Sequence, residues 1–137
     1  MKDRVFIDTN VFVYTQSSVE PEKRSISTRI LHDFDCYTST QVLNEFCNVM
    51  TKKVKMTVAE VKQVIKAINN CCTIVIVDCD TVNEALGIKE KYGYTYYDSL
   101  ILASALESGC QRIFTEDMQD GQIIDGVLRI ENVFGVR

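Results

Sequence analysis

Short runs of consecutive apolar residues alternate along the chain with longer stretches in which apolar residues recur every third or fourth position. The run Val5–Ile7 lacks polar and apolar alternation, which is typical of a strand covered on both faces. The longer stretches have the spacing of amphipathic helices. Because strands and helices alternate, we predict an α/β protein, a three-layer α/β/α sandwich with a mainly parallel central sheet. The predicted strands lie at 4–7, 36–38, 72–77, 112–115 and 127–130.

Residues that favour helix ends mark several of the predicted boundaries. The segment Thr57–Glu60 has the spacing of a capping box, in which each side chain bonds the backbone amide of the other residue. We predict that Asp80 caps a helix over about 81–92 and that Gly93 ends it. A further helix begins near Tyr97 and is almost continuously apolar, which predicts a central buried helix.

The composition predicts a single globular domain spanning residues 1–137. Apolar residues make up 46% of the chain and charged residues 25%, an ordinary balance for this class. The formal net charge of −4 argues against broad binding to polyanions but allows a local basic face. No apolar run approaches the ~18 residues of a membrane span, and the N-terminal pattern is not that of a signal peptide. We therefore expect a cytoplasmic protein without a membrane partner.

The number and spacing of the cysteines and histidines limit the kinds of active site that the chain can form. The six cysteines form no C-x-x-C pair and several lie in apolar runs, so we expect reduced and mostly buried thiols. His32 is the only histidine, which gives little support to a histidine-based metal site or a Ser–His catalytic pair. The candidate chemistry therefore lies with the carboxylates.

Four carboxylates occupy positions that the predicted fold brings toward one edge of the sheet. Asp8 and Asp117 follow the ends of apolar strands, and the carboxyl ends of parallel strands share one edge. Glu45 lies among the apolar positions of a helix, and Asp98 lies in the first turn of the buried helix. Clustered carboxylates raise one another's pKa and favour a hard cation such as Mg²⁺ or Mn²⁺, whose chemistry includes phosphodiester hydrolysis. Three of the four acids also have an ordinary alternative, which is a helix cap for Asp8, a cap or a favourable helix-dipole contact for Asp98, and a helix-edge position for Glu45.

Four short motifs, in this order, resemble the acidic motifs of PIN domains. They are Ile7-Asp8-Thr9-Asn10, Leu43-Asn44-Glu45-Phe46, Tyr97-Asp98-Ser99-Leu100-Ile101 and Phe114-Thr115-Glu116-Asp117. The resemblance extends from Asp8 to the Asp120-Gly121 turn, and the small single-domain form is similar to VapC-type toxins of bacterial and archaeal toxin–antitoxin pairs. It implies a PIN-like fold and an endoribonuclease that cuts single-stranded or structured RNA. It also implies a homodimer and a small antitoxin whose tail blocks the acidic pocket.

The resemblance also implies a role for each of the four acids. Asp8, Asp98 and Asp117 are the expected ligands of Mg²⁺ or Mn²⁺. Glu45 is expected to bind the metal through water or to orient the attacking water. The chain thus has an acidic residue at each of the four positions of the family pattern.

Other residues near these motifs are expected to support the ligands. Asp120 resembles a further acidic position of some family members, and together with Glu116 it leaves open which residue completes the metal site. The resemblance implies hydrogen bonds from Thr9, Asn10 and Thr115 to the ligands. For Thr115 an ordinary role at a strand end is an equal alternative.

Two other functions account for parts of the pattern. A phosphatase or phosphotransferase with Asp8 as nucleophile would carry a second aspartate two residues later, where the chain has Asn10. A catalytically silent RNA-binding or scaffold protein of the same fold would not need the intact set of acids. Lys52, Lys53 and Lys55 form a small basic run that is either solvated or contacts RNA phosphates at the rim of the site.

Overall fold

The computed structural model of the protein describes residues 1–135, which form six strands and six helices. The strands are β1 (Arg4–Ile7), β2 (Asp35–Ser39), β3 (Thr73–Val75), β4 (Arg112–Phe114), β5 (Ile123–Ile124) and β6 (Leu128–Glu131). The helices are α1 (Thr9–Thr15), α2 (Pro21–Asp33), α3 (Thr40–Lys52), α4 (Val58–Cys71), α5 (Cys79–Tyr92) and α6 (Tyr96–Glu107). Among these helices none combines the length and apolar character needed to cross a membrane.

The strands form one sheet in the order β3-β2-β1-β4-β6-β5. β1 is parallel to β2 on one side and to β4 on the other, and within the described residues the β5–β6 pair is the antiparallel exception. From β1 the chain moves outward through β2 and β3, and it then returns to place β4 on the other side of β1. The boundary between β1 and β4 is therefore a topological switch point, where open α/β sheets bind ligands. The predicted three-layer architecture with a mainly parallel sheet is confirmed.

The centre of the sheet and helix α6 form the core of the molecule. The segment Val5–Ile7 of β1 is fully buried, as its lack of alternation predicts. Helix α6 is buried from Ser99 to Ala105 and packs against α3, α5, β2 and β4, so the predicted central helix is confirmed. Burial of each large apolar side chain stabilises the fold by about 2 kcal/mol. This packing gives firm support to the end of β1 and to the first turn of α6, both of which carry candidate residues.

Side-chain caps define where α4 and α5 begin. The capping box of α4 is confirmed, since Thr57 Oγ1 accepts from the amide of Glu60 at 3.1 Å. The prediction that Asp80 caps α5 is wrong, because the cap is Asp78, whose carboxylate accepts from the amide of Thr81 at 3.0 Å. Asp80 lies in the first turn of α5 instead, where its negative charge is favourable to the helix dipole.

The two edges of the sheet differ from the prediction. The run 72–77 predicts a buried strand, but β3 has three residues and lies at an edge. Ile74 and Val75 are half-buried, and Ile76 is 76% exposed. At the other edge β5 pairs with β6 in a segment for which the sequence predicts only turns. A run of β-branched residues forms strands both at the edge and at the centre of a sheet, so its composition does not predict the position of β3. A two-residue strand such as β5 is too short to show a periodic pattern.

All six cysteines are free thiols, as predicted. The prediction that most of them are buried is wrong, because only half are, and Cys71 and Cys79 are exposed at helix ends. The buried thiols are those of Cys36, Cys72 and Cys110.

Candidate active site

The carboxyl ends of β1 and β4 place two carboxylates next to the switch point. Asp8 directly follows β1, and its amide donates to the carbonyl of Phe114 in β4 at 3.1 Å. Asp117 lies in the turn after β4, Glu45 in the second turn of α3 and Asp98 in the first turn of α6. The charges of Glu45 and Asp98 add to the raised pKa of Asp8, and the charge of Asp117 adds to the raised pKa values of Glu45 and Asp98. The structure therefore brings together the four acids that the sequence singles out.

Asp8 is the buried member of this acidic cluster (Asp8, Glu45, Asp98 and Asp117), with 3% of its surface exposed. The amide of Thr9 donates to Asp8 Oδ1 at 2.7 Å, and the hydroxyl of Thr115 donates to Asp8 Oδ2 at 2.7 Å. Burial raises the pKa of Asp8 to about 7; these two hydrogen bonds oppose the shift, and the charges of Glu45 and Asp98 add to it. Asp8 thus caps α1 and also belongs to the acidic cluster, so its two interpretations are compatible.

Glu45 and Asp98 are half-buried, and burial is the largest cause that raises the pKa of each. Gln41 Nε2 donates to Glu45 Oε2 at 3.1 Å, and Thr9 Oγ1 donates to Glu45 Oε1 at 3.4 Å. The alternative that Asp98 caps α6 is wrong, because Thr95 is the cap and accepts from the amide of Asp98 at 3.2 Å. Asp98 lies in the first turn of α6, where its charge is favourable to the helix dipole, and it also belongs to the acidic cluster.

A hydrogen-bond network ties the turn after β4 to the start of α1. Asn10 Nδ2 donates to Asp117 Oδ2 at 3.0 Å and to Thr115 Oγ1 at 3.3 Å. The Thr115 hydroxyl is fully buried; it donates to Asp8 and accepts from the amide of Asp117 at 3.2 Å. Asn10 and Thr115, together with Thr9, therefore hydrogen-bond carboxylates of the acidic cluster.

Glu116 and Asp120 are engaged in other contacts. Glu116 accepts from Lys23 Nζ at 2.6 Å and from the hydroxyl of Tyr14. Burial alone would raise the pKa of Glu116, but the hydrogen bonds from Lys23 and Tyr14 outweigh it, and its pKa is lowered. Asp120 Oδ1 accepts from the amide of Asn132 at 2.8 Å, just after β6. The carboxylate of Glu116 is thus paired with a cation outside the acidic cluster.

Three side chains around the site are not among the residues predicted from the sequence. Gln41 lies four residues before Glu45 in α3, a spacing at which helical side chains meet, so the sequence carried a signal for this contact. Lys23 and Tyr14 come from α2 and α1 and reach Glu116 across about a hundred residues of chain. No local pattern in the sequence connects them.

The acidic cluster suits a hard divalent cation. Within residues 1–135 none of its four acids pairs with a lysine or arginine, so its charge is not neutralised by that part of the chain. Oxygen ligands of this kind select Mg²⁺ or Mn²⁺ over softer metals. Over the same range no three His, Cys, Asp or Glu side chains are close enough to hold a metal by themselves. An ion that keeps several waters and binds one or two carboxylates needs no such cage.

The fold and the acidic cluster together define a class of α/β protein with a carboxylate site at the switch point of a mainly parallel sheet. The sequence model of the PIN domain matches residues 5–119. The chain therefore belongs to the PIN domain family. A search of curated proteins finds no match.

Several solved structures share this fold. VapC20 of Mycobacterium tuberculosis, described as a toxin that cleaves the sarcin–ricin loop, is 14% identical with a TM-score of 0.69, over 82% of this chain and 89% of that one. A toxin–antitoxin complex from Klebsiella pneumoniae is 16% identical with a TM-score of 0.69, over 96% and 99%. VapBC2 from Rickettsia felis, bound to a DNA fragment from its promoter, is 16% identical with a TM-score of 0.65, over 94% and 99%. At these identities the similarity shows a common fold.

Proposed function

We propose that this protein is a Mg²⁺- or Mn²⁺-dependent endoribonuclease and the toxin of a type II toxin–antitoxin pair. The observation that carries the proposal is the acidic cluster, whose charge no lysine or arginine within residues 1–135 neutralises. Membership in the PIN domain family and the similarity to VapC20, described as cleaving the sarcin–ricin loop, support RNA as the substrate. A scaffold protein has no use for uncompensated buried charge, which is destabilising.

Three aspartates are the proposed metal ligands. Asp8, Asp98 and Asp117 would hold the ion, one or two of them directly and the rest through its bound waters, because no three acidic side chains within residues 1–135 are close enough to bind it together. When bound, the ion supplies a Lewis acid for hydrolysis of the phosphodiester bond. The hydroxyl of Thr115 and the amide of Asn10 keep the carboxylates of Asp8 and Asp117 in fixed orientations before any ligand arrives.

Glu45 is the proposed residue that orients the attacking water and takes its proton. Burial raises its pKa first, and the charges of Asp98 and Asp117 add to this shift, while the hydrogen bonds from Gln41 and Thr9 oppose it. A carboxylate with a raised pKa is better matched to proton transfer near neutral pH. The two hydrogen bonds fix its position, so that Glu45 needs no rearrangement to act.

RNA must approach a chain whose formal net charge is −4, so its contacts have to be local. Lys52 is the last residue of α3, roughly 10 Å along the helix axis from Glu45. Lys53 and Lys55 follow it, and all three lysines are exposed. We assign phosphate contacts to this lysine run. Tyr97 is 61% exposed directly before Asp98, where its ring can stack on an unpaired base. These positions favour a single-stranded segment as the part of the RNA that is cut.

The proposal extends to two protein partners. The similar Klebsiella pneumoniae structure is a toxin–antitoxin complex, and the Rickettsia felis structure is a VapBC assembly on DNA. By analogy, a small antitoxin would cover the acidic cluster, and two copies of the toxin would form a homodimer. Both would act in the cytoplasm. Light scattering after size exclusion measures the mass of the purified chain, and a monomer would remove the dimer from the proposal.

Cleavage of a mixed RNA pool tests the enzyme directly. The native chain, Asp8→Asn and Asp98→Asn are each incubated with the pool in Mg²⁺, in Mn²⁺ and in EDTA. The matched control is Asp80→Asn, which makes the same change at an exposed position on α5 outside the acidic cluster. We expect fragments from the native chain and the control with either metal, and none in EDTA.

Both site variants are expected to lose cleavage, because each removes a charge from the acidic cluster. Cleavage that persists in EDTA or in both variants would refute the proposed metal site. RNA retained on the native chain without fragments, under every metal condition, would favour the catalytically silent binding protein.

A further inference from the structure

Three cysteines lie close together at the amino ends of β2 and β3, whereas the acidic cluster lies at the carboxyl ends of the strands. Cys71 is the last residue of α4, and Cys72 follows it directly before β3. Cys36 is the second residue of β2, the parallel neighbour of β3. In the pairing of these strands Tyr37 lies beside Thr73. Cys36 directly precedes Tyr37, and Cys72 directly precedes Thr73. We call Cys36, Cys71 and Cys72 the thiol cluster.

The thiol groups of the cluster lie close together. Cys71 Sγ lies 3.6 Å from Cys72 Sγ, and the Cys36 thiol is the first cause that raises the pKa of Cys72. Cys72 and Cys36 are 8% and 2% exposed, whereas Cys71 is exposed. The cluster thus consists of one accessible thiol backed by two buried ones.

A cavity of about 510 Å³ connects this cluster with solvent. Cys71 and Cys36 both line it, together with Lys2 and His32. The hydrogen bond between the Cys71 and Cys72 thiols lowers the pKa of Cys71 below its ordinary value, against the opposing effect of burial. The thiolate is the reactive form of cysteine, so the accessible member of the cluster is also the activated one.

We propose that the thiol cluster is an oxidation site for small hydroperoxides and that it closes to a disulfide between Cys36 and Cys72. The sulfur of Cys71 attacks the peroxide, the O–O bond breaks, and Cys71 becomes a sulfenic acid as hydroxide or an alcohol leaves. Cys72 then attacks the Cys71 sulfur, which forms an S–S bond and releases the sulfenic oxygen as water. Cys36 finally attacks the Cys72 sulfur, and Cys71 leaves and takes up the proton that Cys36 gives off. In the balance two thiols are oxidised to one disulfide, and the peroxide is reduced.

Backbone distances indicate which of the two disulfides, Cys71–Cys72 or Cys36–Cys72, is the more stable product. Consecutive Cα atoms lie ~3.8 Å apart across a trans peptide, which is shorter than the ~4.4 Å minimum usual for a disulfide. Neighbouring strands lie ~4.8 Å apart, which is within that range. The bond between adjacent Cys71 and Cys72 is therefore the less stable one, and the bond from β2 to the start of β3 is the end product.

Peroxide treatment followed by mass spectrometry tests this sequence without measuring RNA cleavage. The reduced full chain is exposed to hydrogen peroxide, the remaining thiols are alkylated, and its peptides are mapped without reduction. We expect one Cys36–Cys72 link that dithiothreitol reverses. The matched control is Cys79→Ser, which removes the other exposed cysteine and should leave the rate and the product unchanged.

Single replacements within the thiol cluster separate the steps. Cys71→Ser should slow formation of the disulfide by about tenfold or more, because the remaining thiols are buried. Cys72→Ser should stop at a sulfenic acid on Cys71 that dimedone traps, and circular dichroism shows that each variant is folded. Oxidation of Cys79 as fast as Cys71, or a folded Cys71→Ser that forms the disulfide at the native rate, would overturn the proposal. So would a map without the Cys36–Cys72 link.

Discussion

Thr115 contacts two residues of the acidic cluster through one oxygen atom, donating to the carboxylate of Asp8 and accepting from the amide of Asp117. The sequence predicts the positions of the acids because they end strands or interrupt the apolar pattern of helices. It does not predict how hydrogen bonds are shared among them, since a hydroxyl at a strand end has the same local sequence whether or not it bonds a carboxylate. The sequence therefore cannot distinguish the two roles considered for Thr115, which are a hydrogen bond to a carboxylate and an ordinary strand end. The hydrogen bonds in the structure distinguish them.

Replacement of Thr115 by valine keeps the shape of the side chain and removes its hydroxyl. Because Asp8 then loses a hydrogen bond to a buried carboxylate, we expect a loss of about 2 kcal/mol in the free energy of unfolding. Cleavage should fall by about 10- to 100-fold, as is usual when a group that orients a ligand is removed. Thr115→Ser keeps the hydroxyl and should retain most of the activity. Urea unfolding and single-turnover cleavage measure the two effects, and equal cleavage by both variants would contradict the role of the hydroxyl.

Metal binding should stabilise the native chain by relieving repulsion within the acidic cluster. At a Mn²⁺ concentration of about 100 times Kd, binding to the folded state alone stabilises by about 2.7 kcal/mol. We expect the melting temperature of the native chain and of Asp80→Asn to rise with Mn²⁺ and to return to the starting value after EDTA. Asp98→Asn should show a much smaller rise. An equal rise in all three chains would place the metal elsewhere.

Helix α4 shows which elements the sequence predicts well. Its capping box involves residues three positions apart, and Gly93 at the end of α5 adopts the predicted left-handed backbone with φ of 79°. Local chemistry decides both features, so a local pattern reveals them. The edge position of β3 depends on which strand lies beside it, and this partner comes from β2, more than thirty residues earlier. A run of β-branched residues contains no information about that partner.

The capping box also predicts how α4 responds to acid. The hydrogen bonds from Thr57 lower the pKa of Glu60 in the folded chain, so the folded state binds fewer protons here than the unfolded state. This contribution to stability is complete above the unfolded pKa and is lost as the pH falls through the lower, folded pKa. We therefore expect Glu60→Gln to melt below the native chain at pH 7, and the difference to shrink as the pH falls below about 4.

Thermal melts from pH 7 to pH 3 measure this difference. Glu90→Gln, which removes an exposed carboxylate from α5, controls for the loss of one surface charge. A deficit of Glu60→Gln that is constant down to pH 3, or no larger than that of Glu90→Gln at pH 7, would contradict the contribution of the ionised cap.

The whole molecule combines a net negative charge with a site that is itself acidic. The alternation of strands and helices predicts the fold class and places the ends of β1 and β4 at one edge. It does not predict the strand order, which depends on the return of the chain from β3 to the far side of β1. The sequence also does not show which positive charges contact RNA, because a run of lysines has the same pattern whether it is solvated or bound to phosphates.

The exposed lysine run at the end of α3 gives a prediction at this scale. Replacement of Lys52, Lys53 and Lys55 by glutamine should weaken RNA binding and reduce the slope of log affinity against log salt by about 2, if all three lysines contact phosphates of single-stranded RNA. Fluorescence anisotropy over a salt series measures the slope. A control with the same change in net charge replaces Lys62, Lys66 and Lys89. An unchanged slope in the first variant, or an equal change in the control, would exclude the lysine run as the contact.

The position of β1 between β2 and β4 has a consequence for synthesis of the chain. Asp8 is translated about 110 residues before Asp117, and the strand that closes the far side of β1 begins only at Arg112. At ~5–20 residues per second this interval lasts roughly 5–20 s. Throughout it the growing chain lacks both an acid and a neighbouring strand of the site. A nascent or truncated chain that ends before Arg112 is therefore expected to be harmless to the ribosome and the messenger RNA that produce it, and the cleavage that we propose would begin only when synthesis is nearly complete.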